Sequence, residues 1–254
     1  RTARPANDFK GLLPKLRRVL DLVREEAKIK AQAFGLSPYD ALLDEYEPGA
    51  RSAEIAAVFD RLVKFLPDFT AAVIEKQARG PAILPLEGPF PAAKQEALAR
   101  RLMQAVGFDF DHGRLDTSAH PFCGGIPDDV RLTTRWNEKE FLSGLMGVLH
   151  ETGHAMYERG LPAKWRNQPV GRALGMSVHE SQSLLIEMQA SRSREFLAWL
   201  APLAVDAFGG KGPAWSVDNL HRIYTEVSRG LIRVDADEVT YPAHVILRFR
   251  LEMA

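Results

Sequence analysis

The 254-residue chain carries 33 Lys plus Arg against 33 Asp plus Glu, so no net charge directs it toward nucleic acid or an anionic membrane. Its 46% hydrophobic and 26% charged content is ordinary for a globular protein with one large core or two smaller ones. The single cysteine, Cys123, excludes an internal disulfide and any zinc site built on several thiolates, and a reducing cytoplasm fits that usage best.

No apolar signal segment follows the Arg- and Lys-rich N-terminus. The most apolar stretch, Phe196 to Phe208, holds Pro202 and Asp206 and is too short to span a bilayer, so a soluble chain without a membrane role is expected. The sequence starts at Arg1 rather than Met and stops at Ala254 within an uncapped segment, which reads as a piece of a longer protein.

Helical periodicity dominates. The first helix is expected over about Phe9 to Ala33, with apolar residues at Leu12, Leu13, Leu16, Leu20, Leu22 and Val23. A second covers about Ala53 to Gln77, split near Pro67, and a third about Pro91 to Val106. Short strands are expected at Arg114–Ser118 and Val130–Trp136, around the turn-rich Gly124–Asp128. Asn137 with Glu140 can form a capping box for a helix reaching about Tyr157, and Ser177 with Glu180 a second one for a helix running to about Leu200. Further helices are expected at about Val217–Val234 and Asp237–Met253. The fold expected is mainly α, with a small β-sheet beside the central helices.

His150-Glu151-Thr152-Gly153-His154 is an H-E-x-x-H pattern. Residues four apart on a helix lie on one face a turn apart, so both imidazoles can bind one ion. Glu151 can then lean over the open metal position and take a proton from an activated water. Gly153 costs about 1 kcal/mol relative to Ala in a helix interior, which suggests that something approaches its backbone closely. A zinc hydrolase wants a third protein ligand. By position Glu180 comes ahead of Glu187 and Glu158, with the alternative that it serves only as the capping glutamate of Ser177.

Five segments occur in order: His120-Pro-Phe122, Asp129-Val-Arg-Leu-Thr133, the H-E-T-G-H motif, His179-Glu-Ser-Gln182 and Ile232-Arg-Val-Asp-Ala-Asp-Glu238. The set, with Tyr39-Asp-Ala-Leu-Leu-Asp-Glu-Tyr-Glu-Pro-Gly49, resembles the carboxypeptidase Taq family of zinc metallopeptidases over nearly the whole chain. The resemblance implies a helical, zincin-like body and one divalent ion per chain, Zn²⁺ with Co²⁺ or Mn²⁺ also suitable, held by His150, His154 and Glu180. It implies Glu151 as general base and release of single C-terminal residues from peptides, with broad preference and little activity on C-terminal Pro. The family is commonly homodimeric.

A guanidinium fork suits the substrate's terminal carboxylate, and the resemblance implies Arg233 of the Ile-Arg-x-x-Ala-Asp segment as its receptor, with a structural pairing to Asp235 or Asp237 as the alternative. His120 is expected to line the site. Asp129, Arg131 and Thr133 are expected to form a buried polar brace nearby, and His179 could stand behind the metal ligands. Family members run to about twice this length, so residues 1–254 read as a single catalytic core lacking N- and C-terminal parts. Two other functions stay open: a catalytically incomplete or purely structural relative, and a zinc endopeptidase or aminopeptidase.

Overall fold

The computed structural model describes residues 2–254. They fall into two compact units, one reaching Lys64 and including Val245–Ala254, the other Phe65–His244. The architecture is mainly α with one small sheet, as the periodicity implied. No described helix is long and apolar enough to cross a membrane.

The first unit contains α1 (Phe9–Phe34), α2 (Pro38–Leu43) and the start of α3 (Ser52–Ala78). Ser37 caps α2 by accepting from Asp40 N–H at 3.1 Å, and Asp40 in turn accepts from Ser52 N–H at 2.7 Å, fixing where α3 begins. Phe249, on the last helix α9 (Tyr241–Met253), meets the rings of Tyr39 and Phe59 edge-on at 5.6 and 5.1 Å. On α1 the apolar residues Leu12, Leu16, Leu20 and Val23 stay 39–44% exposed. One expectation needs correction: α3 is not split at Pro67, because a 27-residue helix can forgo one backbone bond and continue.

The second unit holds the main core. The sheet comprises β1 (Gly113–Thr117), β2 (Phe122–Ile126) and β3 (Asp129–Thr134), in the order β1-β3-β2. β3 runs parallel to β1 and antiparallel to β2, and β2 turns into β3 through Pro127-Asp128. The expected pair of strands was therefore one short, because the Gly124-Gly125 run masks β2's periodicity. Strand alternation sends Val130, Leu132 and Thr134 inward, all fully buried.

α5 (Leu142–Arg159) packs against this sheet and against α4 (Ala92–Val106). Its N-terminus is fixed by the fully buried Phe141, whose ring lies 4.8 Å from Phe90, 4.6 Å from Phe208 and 5.9 Å from Trp215. The expected capping box does not form there. Glu140 instead accepts from Ser143 N–H at 3.0 Å, while Asn137 accepts from Lys139 N–H at 3.0 Å in a tight turn before the helix.

After α5 the chain makes two 3₁₀ turns and enters α6 (Met176–Leu184), which runs straight into a π-helical segment, Leu185–Ala190. A short break precedes α7 (Arg194–Phe208), so the single helix expected to about Leu200 is three pieces. Ser193, accepting from Phe196 N–H at 3.2 Å, starts the last piece. α8 is only Val217–Tyr224, and α9 begins at Tyr241. Between them lies mostly irregular chain, where helical periodicity had suggested more helix.

Candidate metal centre and active site

α5 carries His150 and His154 one turn apart, with ring centroids 4.9 Å from each other. α6 crosses beside them and brings Glu180, whose Oε1 lies 3.7 Å from His150 Nε2 and whose Oε2 lies 3.2 Å from His154 Nε2. One ligand atom from each of the three falls within 4.8 Å of the others. Donors on arms of about 2.0–2.1 Å around a tetrahedral ion stand about 3.3 Å apart, so the two nitrogen-to-carboxylate separations suit a zinc-sized cation. Three such groups gathered at one point, partly buried, have the chemistry a divalent metal needs.

The close crossing depends on Gly153. A Cβ there would lie 2.5 Å from Gln182 O and 2.5 Å from Ser183 Cα, so α5 and α6 meet backbone to backbone. α6 begins at Met176, one residue before Ser177, so Ser177 stands inside the helix rather than at its N-cap as expected. Glu180's carboxylate faces the two histidines.

The outer nitrogen of each imidazole is also engaged. His150 Nδ1 donates to Glu187 Oε2 at 2.9 Å, and Glu187 Oε1 accepts from Arg192 at 2.7 Å. His154 Nδ1 lies 2.7 Å from His179 Nδ1, and His179 Nε2 lies 3.5 Å from Glu158 Oε2. Thus the two other glutamates considered as third ligands sit behind the histidines. Arg192 was missed, because α-helical spacing pairs residues three or four apart and only the π-helical segment brings this i,i+5 partner onto Glu187.

Charge tunes the group. The hydrogen bond from His154 lowers the Glu180 pKa in spite of burial. Burial disfavours a charged His150, yet the Glu187 carboxylate outweighs it and raises the pKa. Glu151, buried at 7% exposure, has its pKa raised by desolvation against the pull of His150 and His154. His179 is lowered, by burial and then by His154.

The remaining candidates are spread more widely. His120 is exposed, and its carbonyl accepts from Thr133 Oγ1 at 3.1 Å and from Ser118 Oγ. The neighbouring Pro121 lies 3.7 Å from where a Cβ on Gly147 would stand, one turn before His150. Asp129 and Arg131 do not form a buried brace. They pair with each other at 2.7 Å on the outer face of β3, about half exposed, because alternation turns both away from the core. Arg233 is exposed on a 3₁₀ turn and donates to Tyr241 Oη at 3.0 Å.

Two helices presenting a His-x-x-x-His pair and a glutamate define the donor set of the H-E-x-x-H metallohydrolases. The sequence profile of the carboxypeptidase Taq (M32) metallopeptidases matches residues 1–254, and the chain belongs to that family. It is 41% identical over 263 residues to thermostable carboxypeptidase 1 of Thermus thermophilus, covering 99% of this chain and 51% of the relative. It is 33% identical over 253 residues to carboxypeptidase 1 of Bacillus subtilis, covering 99% and 50%. Among solved structures, metallocarboxypeptidase 1 of Trypanosoma cruzi superposes with a TM-score of 0.93 at 49% identity, covering 99% of this chain and 50% of that one. The M32 carboxypeptidase of Deinococcus radiodurans gives 0.86 at 36% identity, with the same coverage. The chain spans about half the length of the curated relatives it matches. The family implies a divalent metal.

Proposed function

We propose that this chain holds the catalytic centre of a metallocarboxypeptidase that removes single residues from peptide C-termini. The observation that carries the proposal is the convergence of His150 Nε2, His154 Nε2 and the Glu180 carboxylate on one point. These three residues would hold one zinc ion, with cobalt or manganese as substitutes that the same donors accept. When bound, the ion supplies Lewis-acid polarisation of the scissile carbonyl and makes water more acidic.

Glu151 follows the first ligand on α5 and serves as the proton carrier. Its carboxylate takes a proton from the attacking water and delivers it to the leaving amine nitrogen. Burial of Glu151 excludes competing water from that carboxylate. Arg233 is assigned to the peptide's terminal carboxylate through its guanidinium fork, and His120 to the substrate-facing wall. Thr133, tied to the His120 carbonyl, steadies that wall.

A second reading has a specific basis, the half-length match to the relatives: the chain binds metal but lacks part of the apparatus that stabilises the transition state. Both readings are tested by incubating the protein with Zn²⁺ or Co²⁺ and a mixed peptide, then resolving products by mass spectrometry. A ladder of losses from the C-terminus, stopped by chelator and by C-terminal amidation, supports the carboxypeptidase. Metal binding without cleavage supports the incomplete centre. Cleavage of amidated peptides at the normal rate excludes carboxypeptidase action and points to an endopeptidase or aminopeptidase.

A further inference from the structure

We infer that Glu187, held by Arg192, is a positioning residue that fixes the hydrogen of His150 on Nδ1 and so aims its Nε2 lone pair at the side of the site occupied by Glu180. The inference rests on the metal reading above and adds a residue pair that the ligand motif does not contain.

The backbone is unusual where Glu187 stands. Past Leu184 the helix widens into π turns over Leu185–Ala190, closed by Ser191 N–H donating to Ile186 O at 2.9 Å, five residues back. Such turns are rare and concentrate at functional sites. Glu187 is the one ionisable residue in the segment.

Its carboxylate is divided between two partners. Oε2 accepts from His150 Nδ1 at 2.9 Å, and Oε1 accepts from Arg192 at 2.7 Å. Arg–carboxylate pairs are frequently bidentate, whereas here one oxygen is left for the imidazole. Arg192 uses its other terminal nitrogen on Tyr224 O, 3.2 Å away at the end of α8. A continuous chain of hydrogen bonds therefore runs from α8 through Arg192 and Glu187 to α5. Both charged side chains are only 17% exposed, so neither is free to swing into solvent.

An ionised carboxylate can only accept, so the contact decides the tautomer: Nδ1 carries the hydrogen and Nε2, 3.7 Å from Glu180 Oε1, keeps its lone pair. His154 lacks such a fixed partner. Its Nδ1 faces another imidazole nitrogen, which can donate or accept. Glu187 consequently has the larger share in orienting the pair, as partners of this kind do for metal-bound histidines.

The test compares the parent chain with Glu187→Ala, Glu187→Gln and Arg192→Lys, each checked for folding by circular dichroism. Imidazole ¹⁵N spectra of the metal-free proteins at alkaline pH report the His150 tautomer, and competition with a chromophoric chelator reports zinc affinity. The parent should show hydrogen on Nδ1. Glu187→Ala should move it to Nε2 and weaken zinc binding about 10–100-fold. Glu187→Gln, whose amide oxygen still accepts from Nδ1, should keep the tautomer but bind zinc at least about threefold more weakly, since the charge assistance is lost. Arg192→Lys should fall between the parent and Glu187→Ala. Parental tautomer and zinc affinity in Glu187→Ala, or parental affinity in Glu187→Gln if the alanine variant does not fold, overturns the inference. A parent that binds no zinc refutes the metal reading instead, and the metal-free spectra still decide the role of Glu187.

Discussion

Ser183 Cα occupies the space that a Cβ on Gly153 would need, at 2.5 Å. The contact joins α5 to α6 through backbone alone and sets how far Glu180 stands from His150 and His154. Gly153→Ala gains about 1 kcal/mol of helix propensity, but the obstructing atoms are main chain and cannot rotate aside. Overpacking of this kind typically costs about 1–3 kcal/mol. The variant should melt below the parent and bind zinc more weakly, because α6 carries Glu180 away with it. A melting midpoint at or above the parent's would show that the crossing relaxes freely.

Glu151→Gln keeps the size and burial of the side chain while removing its proton-accepting carboxylate. Metal content measured after dialysis should match the parent's. Peptide hydrolysis, where the parent shows it, should fall at least about 100-fold. Loss of metal in this variant would mean that Glu151 is a ligand rather than the proton carrier.

Zinc should stabilise the fold, since its three donors lie on two different helices and unfolding separates them. At a free concentration about 100 times Kd, the gain is about 2.7 kcal/mol. For a chain of this size that is a rise of roughly 5–10 °C in Tm over chelator-treated protein. His154→Ala should abolish the rise. Equal midpoints with and without zinc would sink the site.

Burial pushes the Cys123 thiol up to about 12 from an ordinary 9.0, with the Glu151 and Glu158 charges adding to the shift. The thiolate fraction at mildly alkaline pH is then about 1000-fold below that of an ordinary thiol. Alkylation in the native state should be correspondingly slow and become fast in denaturant. The linkage has a definite sign. The folded pKa is raised, so this contribution to stability is intact below the unfolded value and is lost as pH climbs from about 9 toward about 12. Rapid native alkylation at neutral pH would contradict the burial.

Several features of the centre were legible in the residues alone. The spacing of His150 and His154 dictates a shared helical face whatever surrounds it. Gly153 announced a close approach, and the alternation of Val130, Leu132 and Thr134 placed one side of β3 against the core. That same alternation could have shown Asp129 and Arg131 to be a surface pair. Helix ends were read less well: Glu140 turns to Ser143 N–H, and α6 starts one residue before Ser177, choices that depend on tertiary packing. Glu180, Glu187 and Glu158 were all recognisable as acids within reach of the histidines. Only the tertiary structure distributed them: Glu180 to both Nε2 atoms, Glu187 to His150 Nδ1 and Glu158 to His179. Sequence spacing sets which helical face a carboxylate occupies. Which ring nitrogen it meets is decided by how α6 and the π turns pack across α5, and that packing is a sum of long-range contacts that no local pattern encodes.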